Sequence, residues 1–135
     1  MSSIKIDCPK TTTIFGEIFY PGIEVDVFLP NIGYQTFEFI LDSGADCSMV
    51  PRSMALLSGF RLPSAPDTFV SGISGMSLPA YIGKLKMRIQ QEAFEVRCLF
   101  TESDSTPFLL GRVDFFSLFK VLFDGDGCNI ILTRR

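Results

Sequence analysis

Residues 37–50 read FEFILDSGADCSMV and join two apolar segments across a short polar turn. The first segment, Phe37 to Leu41, is predicted to be a strand that ends directly at Asp42. Ser43 and Gly44 follow, and glycine permits the tight backbone turn that is needed there. We expect Asp42 to be buried, and a buried charge without a partner costs free energy. The pattern therefore predicts that another group shares this carboxylate, and the best candidate is Asp42 of a second copy of the chain.

The composition of the chain limits the class of protein and its partners. With 135 residues, 47% of them hydrophobic and 14 of them phenylalanine, the chain is predicted to form one domain with a packed core. The net charge is −3, and no basic cluster exceeds the pair Arg134 and Arg135, so nucleic acid is not an expected partner. No apolar run approaches the ~18 residues of a membrane span, and no secretory signal is visible. We therefore expect no membrane association and a cytoplasmic location.

The chain contains no histidine, which excludes several kinds of catalysis. Ser-His-Asp and Cys-His mechanisms need an imidazole base, and the common zinc sites need histidine or paired cysteines. The four cysteines are widely spaced, so we expect mostly buried, reduced thiols and neither a metal nor another cofactor. Among the kinds of catalysis considered, the sequence therefore leaves acid–base catalysis by carboxylates.

Short alternating segments separated by turn residues run through most of the sequence. Residues 23–29 alternate apolar and polar side chains with period two, and a Pro-Gly and a Pro-Asn turn flank them. This pattern predicts an all-β protein of antiparallel hairpins. We divide the chain into an N-terminal arm, residues 1–13, and one domain, residues 14–135. The arm is either loose or carries a strand near residues 4–6 that pairs across a dimer.

Two further motifs follow the Asp-Ser-Gly turn. Residues 69–75 read FVSGISG and predict the glycine-rich tip of a hairpin. Residues 108–116 read FLLGRVDFF and predict a short buried strand, a close backbone approach at Gly111 and a helix from Arg112 to Phe119. Three such motifs in this order are far more specific than an isolated Asp-Ser-Gly.

Together with LDSGA at residues 41–45, these motifs resemble the retroviral-type, or retropepsin-like, aspartic protease family, in its cellular and microbial single-domain branch. The resemblance covers residues 14–132. It implies a closed β-barrel or sandwich of antiparallel hairpins with a flap hairpin and one short C-terminal helix. Since one Asp motif occurs in the chain, it also implies a homodimer.

The resemblance implies a homodimeric aspartic endopeptidase. Such an enzyme hydrolyses peptide bonds in extended, apolar-flanked segments of a peptide or unfolded protein, using a water activated between two Asp42 carboxyls. A catalytically silent dimeric peptide-binding module that uses the same groove is the alternative. A generic β scaffold in which Asp42 is only a turn residue is the third possibility.

Roles for individual residues follow from the resemblance alone. The catalytic group comprises Asp42, Ser43 and Gly44, with Ser43 holding the two catalytic loops together across the dimer. Arg112 is implied as a structural support that forms a buried ion pair with Asp46. The residues implied to contact substrate are Ile40, Ala45, Asp46, Met49, Val70, Ser71, Gly72, Ile73, Pro107 and Leu109.

Overall fold

The computed structural model of this chain describes residues 3–71, 75–126 and 128–135. Within these ranges the protein is built almost entirely of strands, as predicted. The strands are β1 (Ser3–Asp7), β2 (Lys10–Thr13), β3 (Gly16–Phe19), β4 (Gly22–Leu29), β5 (Gly33–Leu41), β6 (Ser48–Pro51), β7 (Thr68–Ser71), β8 (Ser77–Ile89), β9 (Glu92–Thr101), β10 (Leu109–Leu110), β11 (Phe119–Asp124) and β12 (Asn129–Arg134). The helical segments are α1 (Ser53–Leu57) and an irregular segment over Arg112–Phe116. No helix in the described ranges is long and apolar enough to cross a membrane.

One sheet of seven strands, in the order β4-β5-β10-β6-β9-β8-β7, carries most of the fold. β4 also pairs with β8, so the sheet folds back on itself. The prediction of antiparallel hairpins is incomplete, because β5 pairs with β10 in parallel and β6 pairs with β9 in parallel. Parallel strands need long connections. Sequence patterns at hairpin spacing therefore give no sign of these two pairings.

The core lies between the folded-back parts of this sheet. β4 shows the predicted alternation, with Val25 and Val27 fully buried and Glu24 exposed between apolar neighbours. β8 and β9 repeat this period-two burial opposite it. Burying one such aliphatic side chain contributes roughly 1.5–3 kcal/mol to stability. Alternation along these strands is therefore the main local signal that the sequence carries for the fold.

The N-terminal strand belongs to a second sheet, in the order β1-β12-β11. β1 pairs antiparallel with β12 of the same chain, with Ile4 opposite Leu132 and Ile6 opposite Ile130. Ile4, Ile130 and Leu132 are buried. Residues 3–7 are therefore neither a loose arm nor, within this chain, an unpaired strand. β1 pairs with β12 and packs its apolar side chains beside those of β12.

The predicted helix from Arg112 to Phe119 is wrong in its regularity. The backbone of Arg112–Phe116 leaves helical dihedral angles at Val113 and Asp114, and a short helical turn then continues through Leu118. Phe119 instead begins β11. Phe115 is fully buried, and its ring centroid lies 5.2 Å from that of Phe119. Aromatic packing thus holds this segment although its backbone is not a regular helix.

Candidate active site

Asp42 directly follows the last residue of β5, at the C-terminal end of that strand. The Ile40 amide donates to the Phe108 carbonyl at 2.8 Å, and the Asp42 amide donates to the Leu110 carbonyl at 3.0 Å. Both acceptors belong to the segment around β10, which runs parallel to β5. Backbone hydrogen bonds between β5 and the segment around β10, which are far apart in the sequence, therefore hold Asp42 in place.

The turn after β5 orients the carboxylate. The Gly44 amide donates to Asp42 Oδ1 at 2.9 Å, and the Ala45 amide donates to the Asp42 carbonyl at 3.1 Å. Asp42 itself is half-buried, while Ser43 and Gly44 are exposed. The expectation of a buried Asp42 is thus wrong for the single chain, because one side of the turn opens onto a groove.

The segment after β10 passes directly behind this turn. The Arg112 amide donates to the Ala45 carbonyl at 2.9 Å, and the Val113 amide donates to the Asp46 carbonyl at 2.8 Å. The Gly111 amide donates to the hydroxyl of Ser48, which is fully buried. Glycine stands at position 111 because a Cβ there would lie 2.4 Å from the carbonyl carbon and oxygen of Cys47.

Arg112 and Asp46 form the predicted ion pair through a short hydrogen bond from Arg112 Nη2 to Asp46 Oδ1. The pair is exposed, however, with 58% of the Arg112 side chain and 88% of the Asp46 side chain accessible to solvent. The expectation of a buried pair is wrong for the single chain. Exposed ion pairs contribute about 0–1 kcal/mol, so this one orients Asp46 more than it stabilises the fold.

An open groove of about 670 Å³ runs between the Asp-Ser-Gly turn and the β7–β8 hairpin. Seven of the residues with implied roles line it, from both sides of the groove. They are Asp42, Gly44, Ala45, Asp46, Met49, Val70 and Ser71. The structure therefore gathers the polar turn and apolar side chains from β6 and β7 around one space.

Other residues with implied roles lie outside the lining of this groove. Ile40 and Leu109 face each other in the parallel register of β5 and β10, and Pro107 is exposed on the preceding loop. Ser43 and Arg112 are exposed beside the groove. The predicted contacts of Gly72 and Ile73 lie outside the described residues.

Four further residues also line the groove: Cys47, Thr68, Phe69 and Leu99. Phe69 is 61% exposed although it is aromatic, and its place in the FVSGISG motif was a usable signal. Leu99 is opposite Met49 in the parallel register of β6 and β9. Since no local pattern reveals that register, Leu99 was not detectable from the sequence.

Asp114 is a further polar residue that sequence reasoning missed. Its carboxylate accepts hydrogen bonds from the Arg97 amide at 2.7 Å and from Arg97 Nε and Nη2 at 2.9 Å each. The hydrogen bonds from the Arg97 side chain hold the pKa of Asp114 below its ordinary value of 3.8. Asp114 has φ of 67° and ψ of −50°, which is close to the rare and strained geometry of a classic γ-turn. The pair ties the 112–116 segment to β9 behind the active-site turn.

We expect Asp114→Asn to lower the melting temperature by about 4 °C at neutral pH, since Arg97 is largely exposed and the ionic contribution is screened. The lowered pKa means that the wild-type contribution is complete above 3.8 and is lost as the pH falls through the folded-state value. The difference between the two proteins should therefore vanish in acid. Thermal unfolding followed by circular dichroism from about pH 2 to pH 7 tests this. Glu95→Gln, an exposed acid on the same strand as Arg97, is the control, and a difference independent of pH would contradict the assignment.

Comparisons with known proteins agree with this geometry. A family model described as aspartyl protease matches residues 25–113. The fold is similar to a retropepsin-like aspartic protease from Rickettsia conorii, with a TM-score of 0.61, 20% identity, and coverage of 97% of this chain and 89% of that one. It is also similar to the EIAV protease complexed with the inhibitor HBY-793, with a TM-score of 0.51, 20% identity, and coverage of 69% and 82%. No curated protein sequence matches the chain.

Proposed function

We propose that this chain, which belongs to the aspartyl protease family, acts as a homodimeric endopeptidase on extended, apolar-flanked segments of peptides or unfolded proteins. The observation that carries the proposal is the position of Asp42. Asp42 is half-buried, its carboxylate is oriented by the Gly44 amide, and it opens onto the groove of about 670 Å³. A second copy of Asp42 completes the catalytic pair.

The need for a second copy follows from the acids in the groove. Among the described residues that line it, the carboxylates are Asp42 and Asp46. Asp46 already accepts a hydrogen bond from Arg112 in an ion pair, so we assign it to binding and not to proton transfer. Peptide hydrolysis by carboxylates needs one group that accepts a proton and another that donates one. Asp42 of a partner chain supplies the second group.

In the proposed dimer the two Asp42 carboxyls lie about 3 Å apart and hold one proton between them, since like charges that close cannot both ionise readily. The ionised carboxyl takes a proton from a bound water, which attacks the peptide carbonyl carbon. The protonated carboxyl donates a hydrogen bond to the developing oxyanion and later supports proton transfer to the leaving nitrogen. Ser43, exposed beside the turn, is proposed to hold the two catalytic loops together.

The groove also supports the proposed recognition of extended segments. β7 is the terminal strand of the seven-stranded sheet, and no other strand among the described residues pairs with its outer edge, so an added strand could pair there. Met49, Phe69, Val70 and Leu99 present apolar surface in the same groove. Peptide bound along β7 would place alternate side chains against this surface and its backbone within reach of Asp42. Gly44 and Asp46 are proposed to bind the peptide backbone, and Ala45 to line a pocket for an apolar side chain. Gly72 and Gly75 are proposed to let the hairpin tip open and close, and the Ile73 amide to reach the peptide.

Dilution of the purified chain tests the requirement for a dimer. We expect the rate of cleavage of an unfolded protein substrate, per chain, to fall as the chain is diluted, because each active site needs two chains. Sedimentation over the same concentrations should show dimers giving way to monomers. Undiminished cleavage by a chain that sediments as a monomer would contradict the proposal. A stable dimer that cleaves nothing between about pH 3.5 and pH 7.5 would favour the silent binding module.

A further inference from the structure

Cys8 and Cys128 lie opposite each other at the end of the β1–β12 ladder. The register of this antiparallel pair runs from Ser3 opposite Thr133 to Asp7 opposite Asn129. One step further, the Cys8 amide donates to the Cys128 carbonyl at 2.8 Å, which extends the ladder to the two cysteines. They are about 120 positions apart in the sequence, and the pairing of the terminal strands alone brings them together.

Cys8 continues the face of β1 that carries Ile4 and Ile6. Cys128 directly precedes β12 and has φ of 51°, so the backbone hydrogen bond, and not the alternation of β12, places it beside Cys8. Opposed residues joined by a backbone hydrogen bond have Cα atoms about 5.5 Å apart, which is inside the roughly 4.4–6.8 Å range of disulfides. Cys128 Sγ now donates weakly to the Gly125 carbonyl at 3.6 Å, so a side-chain rotation would release it.

The two cysteines are also close enough to influence each other. Burial raises the pKa of the Cys8 thiol, and the neighbouring Cys128 raises it further. Both residues are free thiols of intermediate exposure, so a small disulfide can reach them. Reaction should be faster at higher pH, because the thiolate is the attacking species.

The other two cysteines form a poor pair by comparison. Cys98 is only 2% exposed, and burial is the main reason that its pKa is raised to about 12, although the nearby Cys47 also contributes. Burial and the neighbouring Asp46 also raise the pKa of Cys47. Ser48, not Cys47, is opposite Cys98 in the β6–β9 register. A thiol as buried as Cys98 is inert towards exchange.

From this geometry we propose that Cys8 and Cys128 form a reversible disulfide that ties the N-terminal strand to the C-terminal hairpin when the surroundings become oxidising. One thiolate attacks a low-molecular-weight disulfide and displaces one thiol. The second cysteine then attacks the mixed disulfide and displaces the other thiol. The two cysteines lose two protons and two electrons, and the small disulfide is reduced to two thiols. The bond closes a loop that spans most of the chain, which restricts the unfolded state strongly.

The test uses the full-length chain, freed of reductant and incubated with glutathione disulfide. We expect peptide mapping without reduction to show a Cys8–Cys128 link in most chains, and the melting temperature to rise by on the order of 10 °C, reversed by dithiothreitol. Cys8→Ser and Cys128→Ser should both lose the link and the rise, whereas Cys47→Ser should keep them. Peptide mapping needs only the wild-type chain, so the proposal can still be tested if a variant fails to fold. Glutathione adducts without an internal link, a link between Cys47 and Cys98, or a link without a thermal rise would each overturn the proposal.

Discussion

Asp42→Asn should lower kcat for cleavage of an unfolded protein by at least about 1,000-fold, because both carboxyls of the catalytic pair lose the ability to accept a proton. The fold should survive, since asparagine keeps an oxygen that can accept the hydrogen bond from the Gly44 amide. Initial rates between about pH 3.5 and pH 7.5 measure the effect, with a bell-shaped profile expected for the wild type. Asp104→Asn makes the same chemical change on an exposed loop and should leave the profile unchanged. Equal rates for wild type and Asp42→Asn would assign the cleavage to another group or to a contaminant.

Mixing wild type with Asp42→Asn distinguishes an active site that is shared by two chains from one active site in each chain. Equal amounts of wild type and Asp42→Asn, allowed to exchange subunits, should retain about one quarter of the activity of the same total amount of wild type, because only wild-type pairs carry two aspartates. If each chain worked alone, the mixture would retain about half. The first outcome requires two Asp42 carboxyls in one site. The second would contradict the proposed pair even if the single variant is inactive.

Gly111→Ala should destabilise the protein by roughly 3 kcal/mol, which corresponds to a fall in melting temperature of about 10 °C. A Cβ at position 111 would lie 2.4 Å from the carbonyl carbon and oxygen of Cys47. Backbone atoms cannot rotate away as a flexible side chain can. The two segments must therefore separate, which disturbs the turn that presents Asp42.

Urea and thermal unfolding of Gly111→Ala measure this cost, and the same samples can be assayed for cleavage. Gly125→Ala is the matched control, because a Cβ there meets no atom within 4 Å. Its stability should change by less than about 0.5 kcal/mol. A Gly111→Ala protein as stable as the control would show that the two backbones do not approach as closely as the structure indicates.

The sequence predicted those features of the site and the strands that depend on residues close together in the chain. Asp42 at a strand end, glycine at the turn after it, and period-two alternation in β4 each depend on neighbours a few positions away. The FLLGRVDFF motif suggested a regular helix, and this was wrong because the Arg97 contact and the burial of Phe115 override local helical preference around Asp114. Such tertiary contacts outweigh propensities of less than about 1 kcal/mol per residue.

Pairing between distant segments was decided only by the tertiary structure. Leu99 enters the groove because β9 lies parallel to β6, and Cys8 meets Cys128 because β1 docks on β12. The exposure of the Asp46–Arg112 pair likewise depends on what covers the turn. A strand repeats every two residues and so carries its inward face in its own sequence, whereas the partner and register of that strand depend on the packing of the whole chain. The residues that carry the proposed chemistry could therefore be identified from the local sequence, whereas the residues that surround them could be identified only from long-range strand pairing.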